Sequence, residues 1–419
     1  MSPSHSPSPA PSPSSSVPSG AVKHKWFVLF GLWFLYLNFG LILASLAPLI
    51  PVIQGELGIS HTKMGVLLGI WQFVYVLWAI PSGILVDKMG GRKALAIGGF
   101  FLFLSACGRM LAEDYATFLL GVMMLGIGGP IISSGSPKII AQLFPAERRG
   151  VAMGISVTGP ALGISVCLMS THSIFLPLFD DNWRAVMAVW AGSALSATVV
   201  WYVITRLVKL DSDMDVAEKS PTPAVPQKKV ISELLALPAV RIILCMSIGL
   251  FLINHSLNNW LPEMLIALHH MPPKVAGYWS SVPVLVGIIG ALFIPRIATP
   301  KRRIYVIATL SLFAAITPFM VMFTSPFVFV PGLILQGFMR MSLMTLLVLV
   351  LVELPAIDTR RAGTASGLFF SAAEFGGMFG PLSVGLIYDI LGGFRGAFFM
   401  LSLIGLLLIY GTNRLRLVK

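Results

Sequence analysis

The chain has 419 residues, 56% of them hydrophobic and only 11% charged, with a mean hydropathy of +0.87. Soluble domains carry roughly a quarter charged residues, so a soluble enzyme with an ordinary surface is excluded. The formal net charge is +12, and in so apolar a chain this excess points to loops on one side of a bilayer rather than to nucleic acid.

Residues 1–25 form a Ser/Pro-rich segment, expected to be a disordered cytoplasmic tail. It lacks the basic start, apolar centre and cleavage site of a secretory signal. Twelve apolar runs of membrane-spanning length follow. They lie near 26–50, 65–86, 94–112, 116–143, 150–176, 184–206, 238–266, 275–296, 304–323, 327–352, 362–388 and 394–413. With the first tail inside, nearly all Lys and Arg residues fall on the cytoplasmic side. The exceptions are Lys63, Arg109, Arg184, Lys274 and Arg395 outside and Arg340 within a run. That bias predicts an even helix count and two cytoplasmic termini in a multi-pass cytoplasmic (inner) membrane protein. A polar linker at 207–237 divides the chain into two predicted six-helix bundles, 26–206 and 238–419.

The two halves echo each other. Leu143-Phe144-Pro145-Ala146-Glu147-Arg148-Arg149-Gly150 matches the segment from Leu354 to Gly363, and Trp183-Arg184 matches Phe394-Arg395. Lys63-Met64-Gly65 matches Lys274-Val275-Ala276-Gly277, and Pro51 matches Pro262. All four recur at an offset of roughly 211 residues, which indicates an internal duplication. Parallel repeats of this kind place a site between the halves near the midplane.

Between the second and third runs stands Gly83-Ile84-Leu85-Val86-Asp87-Lys88-Met89-Gly90-Gly91-Arg92-Lys93. This resembles the signature G-x-L-x-D-x-x-G-R-[KR] of the major facilitator superfamily, with Gly91 as one extra residue. The Pro-Ala-Glu-Arg-Arg-Gly segment after the fourth run is similar to that family as well. The resemblance implies an all-α membrane protein of about twelve helices in two pseudo-symmetric bundles, working by alternating access. It also implies a gating role for Gly83, Asp87, Arg92, Arg148 and Arg149. A carboxylate such as Asp87 at a helix end can bond an Arg or a helix amino terminus and hold one side shut. The matching loop of the second half, Gly290 to Arg296 and then Lys301-Arg302-Arg303, lacks the acid.

Ionisable groups inside the spans are the candidate site. Arg340 shares a stripe with Gln336 and Met344 in the tenth run. It can grip a carboxylate or oxyanion, or pair with Glu374 on the next helix. Glu374 is a candidate proton carrier, or that same partner. Its stripe includes Gly363, Gly367, Phe370, Gly377 and Pro381, which suggests close helix packing. Lys138 can attract an anion or snorkel to the interface. Asn254, His255, Ser256, Asn258 and Asn259 give the seventh run a polar face suited to a wet cavity or to interhelical hydrogen bonds. Tyr36, Asn38, Gln72 and Tyr75 supply sparser polarity in the first half. In the fifth run, Gly159-Pro160 and its flanking glycines partly resemble the antiporter motif of drug/proton exporters, and equally suit close packing.

There is no nucleotide-binding Gly-rich loop, no metal-ligand spacing, no nucleophile–base pattern and no basic-aromatic array for nucleic acid. His269-His270 reads as a solvated pair near an outer loop. The expectation is a non-enzymatic, cofactor-free, monomeric transporter of a small organic or inorganic anion, coupled to protons. A proton-coupled exporter of lipophilic compounds and a non-transporting sensor or scaffold of the same fold are the rival readings.

Overall fold

The computed structural model describes residues 20–208 and 227–418. Among them, eleven helices are long and apolar enough to cross a membrane. One of these, His61–Met110, has 50 residues. If straight it would run about 75 Å, against a hydrocarbon core of about 30 Å. It crosses twice because Gly90 breaks it, with φ 78° and ψ 150°. A side chain is strained at that φ.

Twelve crossings result: α1 (Gly20–Ala44), α2 (61–89), α3 (91–110), α4 (Tyr115–Leu143), α5 (Ala146–Ser170) and α6 (Trp183–Leu207) form the first bundle. The second holds α7 (Pro238–His269), α8 (Pro273–Ile297), α9 (Arg303–Val321), α10 (Pro326–Val352), α11 (Thr359–Leu391) and α12 (Arg395–Val418). Helix α1 starts inside the segment expected as a tail, and a short helix, Gln227–Ala236, occupies part of the expected linker. Residues 1–19 of the tail and 209–226 of the linker lie outside the described residues.

The helix ends follow local chemistry. Ser60 caps α2 by accepting from Lys63 N at 3.3 Å, and Asp114 and Thr117 form a capping box at the start of α4. Bonds from Thr117 hold the exposed Asp114 carboxyl below its ordinary pKa. The bodies of the helices are apolar all round. Large side chains such as Phe327 remain exposed on the surface of the bundle, as hydrocarbon surroundings allow.

Small residues set the packing inside each bundle. Gly40 abuts the Pro160 backbone, and Gly159 and Gly163 abut α1 at Trp33 and Leu37. The antiporter-like segment therefore serves the close approach of α1 and α5. In the second bundle, Gly376 and Gly380 of α11 abut the α7 backbone at Ile248 and Leu252. His269 is packed rather than solvated: its Nε2 lies 2.8 Å from Val321 O, and its ring centroid is 4.7 Å from that of Phe329.

The bundles meet along two crossings, α2 with α11 and α5 with α8. These are quasi-equivalent. Gly65 of α2 presses on the backbone of Pro381 and Leu382, and Gly277 of α8 presses on that of Leu168. The Lys63-Met64-Gly65 and Lys274-Val275-Ala276-Gly277 echo thus marks two glycines with one job.

Candidate functional site

The charged loops, with Asp87, Arg92, Lys93, Arg148 and Arg149, lie at one end of the helices, the basic face. The inter-bundle contacts concentrate at the other end. There, Asp389 of α11 caps the start of α2. Its carboxylate accepts from His61 N at 3.2 Å, Thr62 N at 2.8 Å and Thr62 Oγ1 at 2.6 Å. The His61 ring sits between two carboxylates of the second bundle, 3.0 Å from Glu263 Oε1 and 3.6 Å from Asp389 Oδ1. It stacks on Tyr388 with ring centroids 3.5 Å apart. Trp260 Nε1 donates to Pro381 O at 3.0 Å beneath it.

One level deeper, Gly69 abuts Met378. Gln72 Nε2 of α2 reaches His255 Nδ1 at 2.9 Å and Gly377 O at 3.2 Å. Gly83, Gly150, Gly154, Gly363 and Gly367 each have open space where a Cβ would stand. The inter-bundle contacts named above all lie toward the face opposite the basic loops.

At the end of the seam lies a cavity of about 240 Å³ lined by both bundles. The first contributes Tyr36 and the Pro160 region of α5; the second contributes Asn254, His255, Arg340 and Met344. Arg340 is half-buried. It donates through Nη2 to Asn258 Oδ1 at 3.2 Å, while its backbone carbonyl accepts from Asn254 Nδ2 at 3.1 Å. Among the described residues no carboxylate pairs with Arg340. The Arg340–Glu374 ion pair weighed from the sequence is not formed. A guanidinium has five donors, so most of Arg340's capacity remains available in the cavity.

The other anticipated residues divide. Asn258 is buried and holds Arg340. Gln336 and Asn38 are buried away from the cavity, and Asn38 Nδ2 donates to Phe34 O at 3.0 Å. Glu374 is buried on α11 and does not line the cavity. It makes no hydrogen bond or ion pair among the described residues, and it lies within electrostatic reach of Tyr75 on α2. Lys138 does not reach the cavity either. Its Nζ lies 3.5 Å from Asp87 Oδ1 and 3.5 Å from Val86 O, which ties α4 to the end of α2.

Asp87, at the gate motif, therefore has Lys138 beside it rather than Arg148 or Arg149. Arg149 bonds the last carbonyls of α4, Phe144 O at 3.0 Å and Ala141 O at 2.9 Å. Arg148 is exposed, and Arg92 lies over the Tyr202 ring at 6.0 Å. In the second half, where the acid of the motif is absent, Arg303 pairs with Glu353 and joins α9 to the end of α10. His61, Glu263 and Asp389 escaped the sequence reading. Glu263 carried a signal, an acid one turn past Asn259 in a membrane run; His61 and Asp389 sit at run ends, where charge is unremarkable.

The family model for the Major Facilitator Superfamily matches residues 28–381. The chain belongs to the Major Facilitator Superfamily. It is accordingly a multi-pass membrane transporter and not an enzyme. Similar proteins include a "Probable L-galactonate transporter" of Escherichia coli strain K12, 25% identical over 59% of this chain and 56% of that protein. A "Quinolone resistance transporter" of Acinetobacter baumannii is 26% identical over 85% of this chain and 86% of that one. Among solved structures, the fold is similar to an inward-facing, unoccupied bacterial homolog of the human lysosomal transporter Spinster. The TM-score is 0.72 at 15% identity, over 94% of this chain and 97% of that one.

Proposed function

We propose that this superfamily member carries a small organic anion by alternating access, coupled to protons, as a monomer in the cytoplasmic membrane. Both termini and the basic face are cytoplasmic in this reading, so the present conformation opens inward. The observation that carries the anion reading is Arg340, a guanidinium facing an inter-bundle cavity with no carboxylate partner among the described residues. A carboxylate entering the cavity supplies the missing negative charge and takes bidentate hydrogen bonds. Tyr36, Asn254 and His255 stand beside it to bond hydroxyl groups of the cargo. The galactonate in the name of one relative has that composition, a carboxylate on a polyhydroxy chain.

The name of the Acinetobacter relative favours a lipophilic cargo instead. That rival requires Glu374 in an aromatic cavity and Arg340 outside it. Arg340 lines the cavity and Glu374 does not.

Asp87 supplies the gate on the inner side. Asp389 already caps the start of α2 on the closed face. Asp87 ends α2 as Asp389 ends α11, and is exposed with Lys138 as its ion-pair partner among the described residues. When the inner side closes, its carboxylate binds the amino-terminal end of α11. Arg92, Arg148 and Arg149 then serve the gate as loop and helix-end clamps.

The test is a ligand-induced thermal shift of the purified protein with sugar acids, inorganic oxyanions and lipophilic cations. The expected result is stabilisation by a carboxylate, lost in Arg340→Gln. Stabilisation by lipophilic cations alone would overturn the anion reading.

A further inference from the structure

A second cavity lies between α7 and α12 and shares no lining residue with the inter-bundle cavity. It is a groove of about 650 Å³ along the side of the second bundle. Its length on α7 runs from Pro238 to Leu252, about 21 Å at helical rise, which exceeds the roughly 15 Å hydrocarbon depth of one leaflet. Its walls are almost wholly apolar. At the basic-face end stand two guanidiniums, Arg241 and Arg414, and no carboxylate is among the lining residues. Both arginines are exposed, and neither forms an ion pair among the described residues. Arg414 is held in place, with Nε donating to Tyr410 OH at 2.8 Å. Helix α7 begins at the same mouth without a side-chain cap, so the positive end of its dipole adds to the two charges.

We infer that this groove binds an anionic phospholipid, its phosphate held by Arg241 and Arg414 and one acyl chain lying along α7 toward Leu252. Charge complementarity selects the occupant. A basic mouth at headgroup depth over an apolar trough matches a phosphodiester carrying a long chain. A free phosphate would satisfy the mouth and leave the trough unused. A zwitterionic lipid would fill the trough and bring its own cation to the two arginines. The site is independent of the cargo, because none of its residues lines the inter-bundle cavity.

The test uses the delipidated full chain in detergent, titrated with phosphatidylglycerol, phosphatidylcholine or inorganic phosphate, reading the thermal shift. Phosphatidylglycerol is expected to stabilise the protein, and the other two are not. Arg241→Gln with Arg414→Gln is expected to weaken that binding about thirtyfold. Cys245→Trp, which plugs the groove from an exposed position with both charges intact, is expected to abolish it. The paired Arg→Lys variant keeps the shift, as does Arg416→Gln, whose guanidinium lies over Tyr305 away from the groove. Equal stabilisation by phosphatidylcholine, a full shift from inorganic phosphate, or a phosphatidylglycerol shift that survives either the charge or the plug variant would overturn the assignment.

Discussion

His61 Nε2 and Glu263 Oε1 stand 3.0 Å apart across the seam between the bundles, on the face opposite the basic loops. The contact is partly shielded from water, and Asp389 adds a second carboxylate at 3.6 Å. Removing the imidazole leaves Glu263 largely buried without its hydrogen-bond partner, a costly arrangement. His61→Ala is therefore expected to loosen the closed face. Spin labels at exposed Lys63 and Lys274, in a background lacking the three cysteines, report the separation of the bundles there. A longer distance distribution in His61→Ala is the expected outcome. An unchanged distribution would show that the helix cap by Asp389 and the glycine contacts suffice.

Arg340 is held by Asn258 on one side and faces the cavity with its remaining donors. A hydrogen bond to a charged group contributes about 1.5–3 kcal/mol, so Arg340→Gln should weaken carboxylate binding by about tenfold to a hundredfold. Arg340→Lys keeps the charge, loses the bidentate fork and should fall between. Calorimetric titration of the purified protein measures both. Wild-type affinity in Arg340→Gln sinks the anion-grip proposal.

Glu374 is buried on α11 without a hydrogen bond or ion pair among the described residues. If it carries the proton, Glu374→Gln fixes the neutral form. Accumulation driven by a proton gradient should then fail, while exchange of cargo for cargo across vesicles persists. Accumulation at the wild-type rate would remove Glu374 from the coupling scheme.

The sequence showed the twelve crossings, the duplication and Arg340 because each rests on local composition. Hydropathy marks spans, loop charge orients them, and an arginine within a run is conspicuous. It left Lys138 between an anion site and the interface because a run gives depth and not direction. The same stripe that could face the cavity carries the side chain to Asp87 instead. It missed His61 and Asp389 because their meaning depends on α2 and α11 lying side by side. The residues are separated by more than three hundred positions, and nothing local announces the pairing.

The glycine stripe of α11 tests alternating access directly. Gly377 is wedged against Gln72 and His255 in the closed seam, whereas Gly363 and Gly367, on the same stripe toward the basic face, have nothing within reach. A stripe packed at one end and idle at the other is expected if the idle end packs in the opposite conformation. Gly69→Leu, driven against the Met378 backbone, should destabilise the present state by about 1–3 kcal/mol. Gly367→Leu should leave its stability within about 0.5 kcal/mol, because the new side chain meets open space. It should nonetheless block transport by preventing closure on the basic side, with the Lys63–Lys274 label pair held at the short distance of the present state. Thermal unfolding and vesicle uptake read the two effects separately. Normal uptake by Gly367→Leu would mean that this end of α11 never closes on α2.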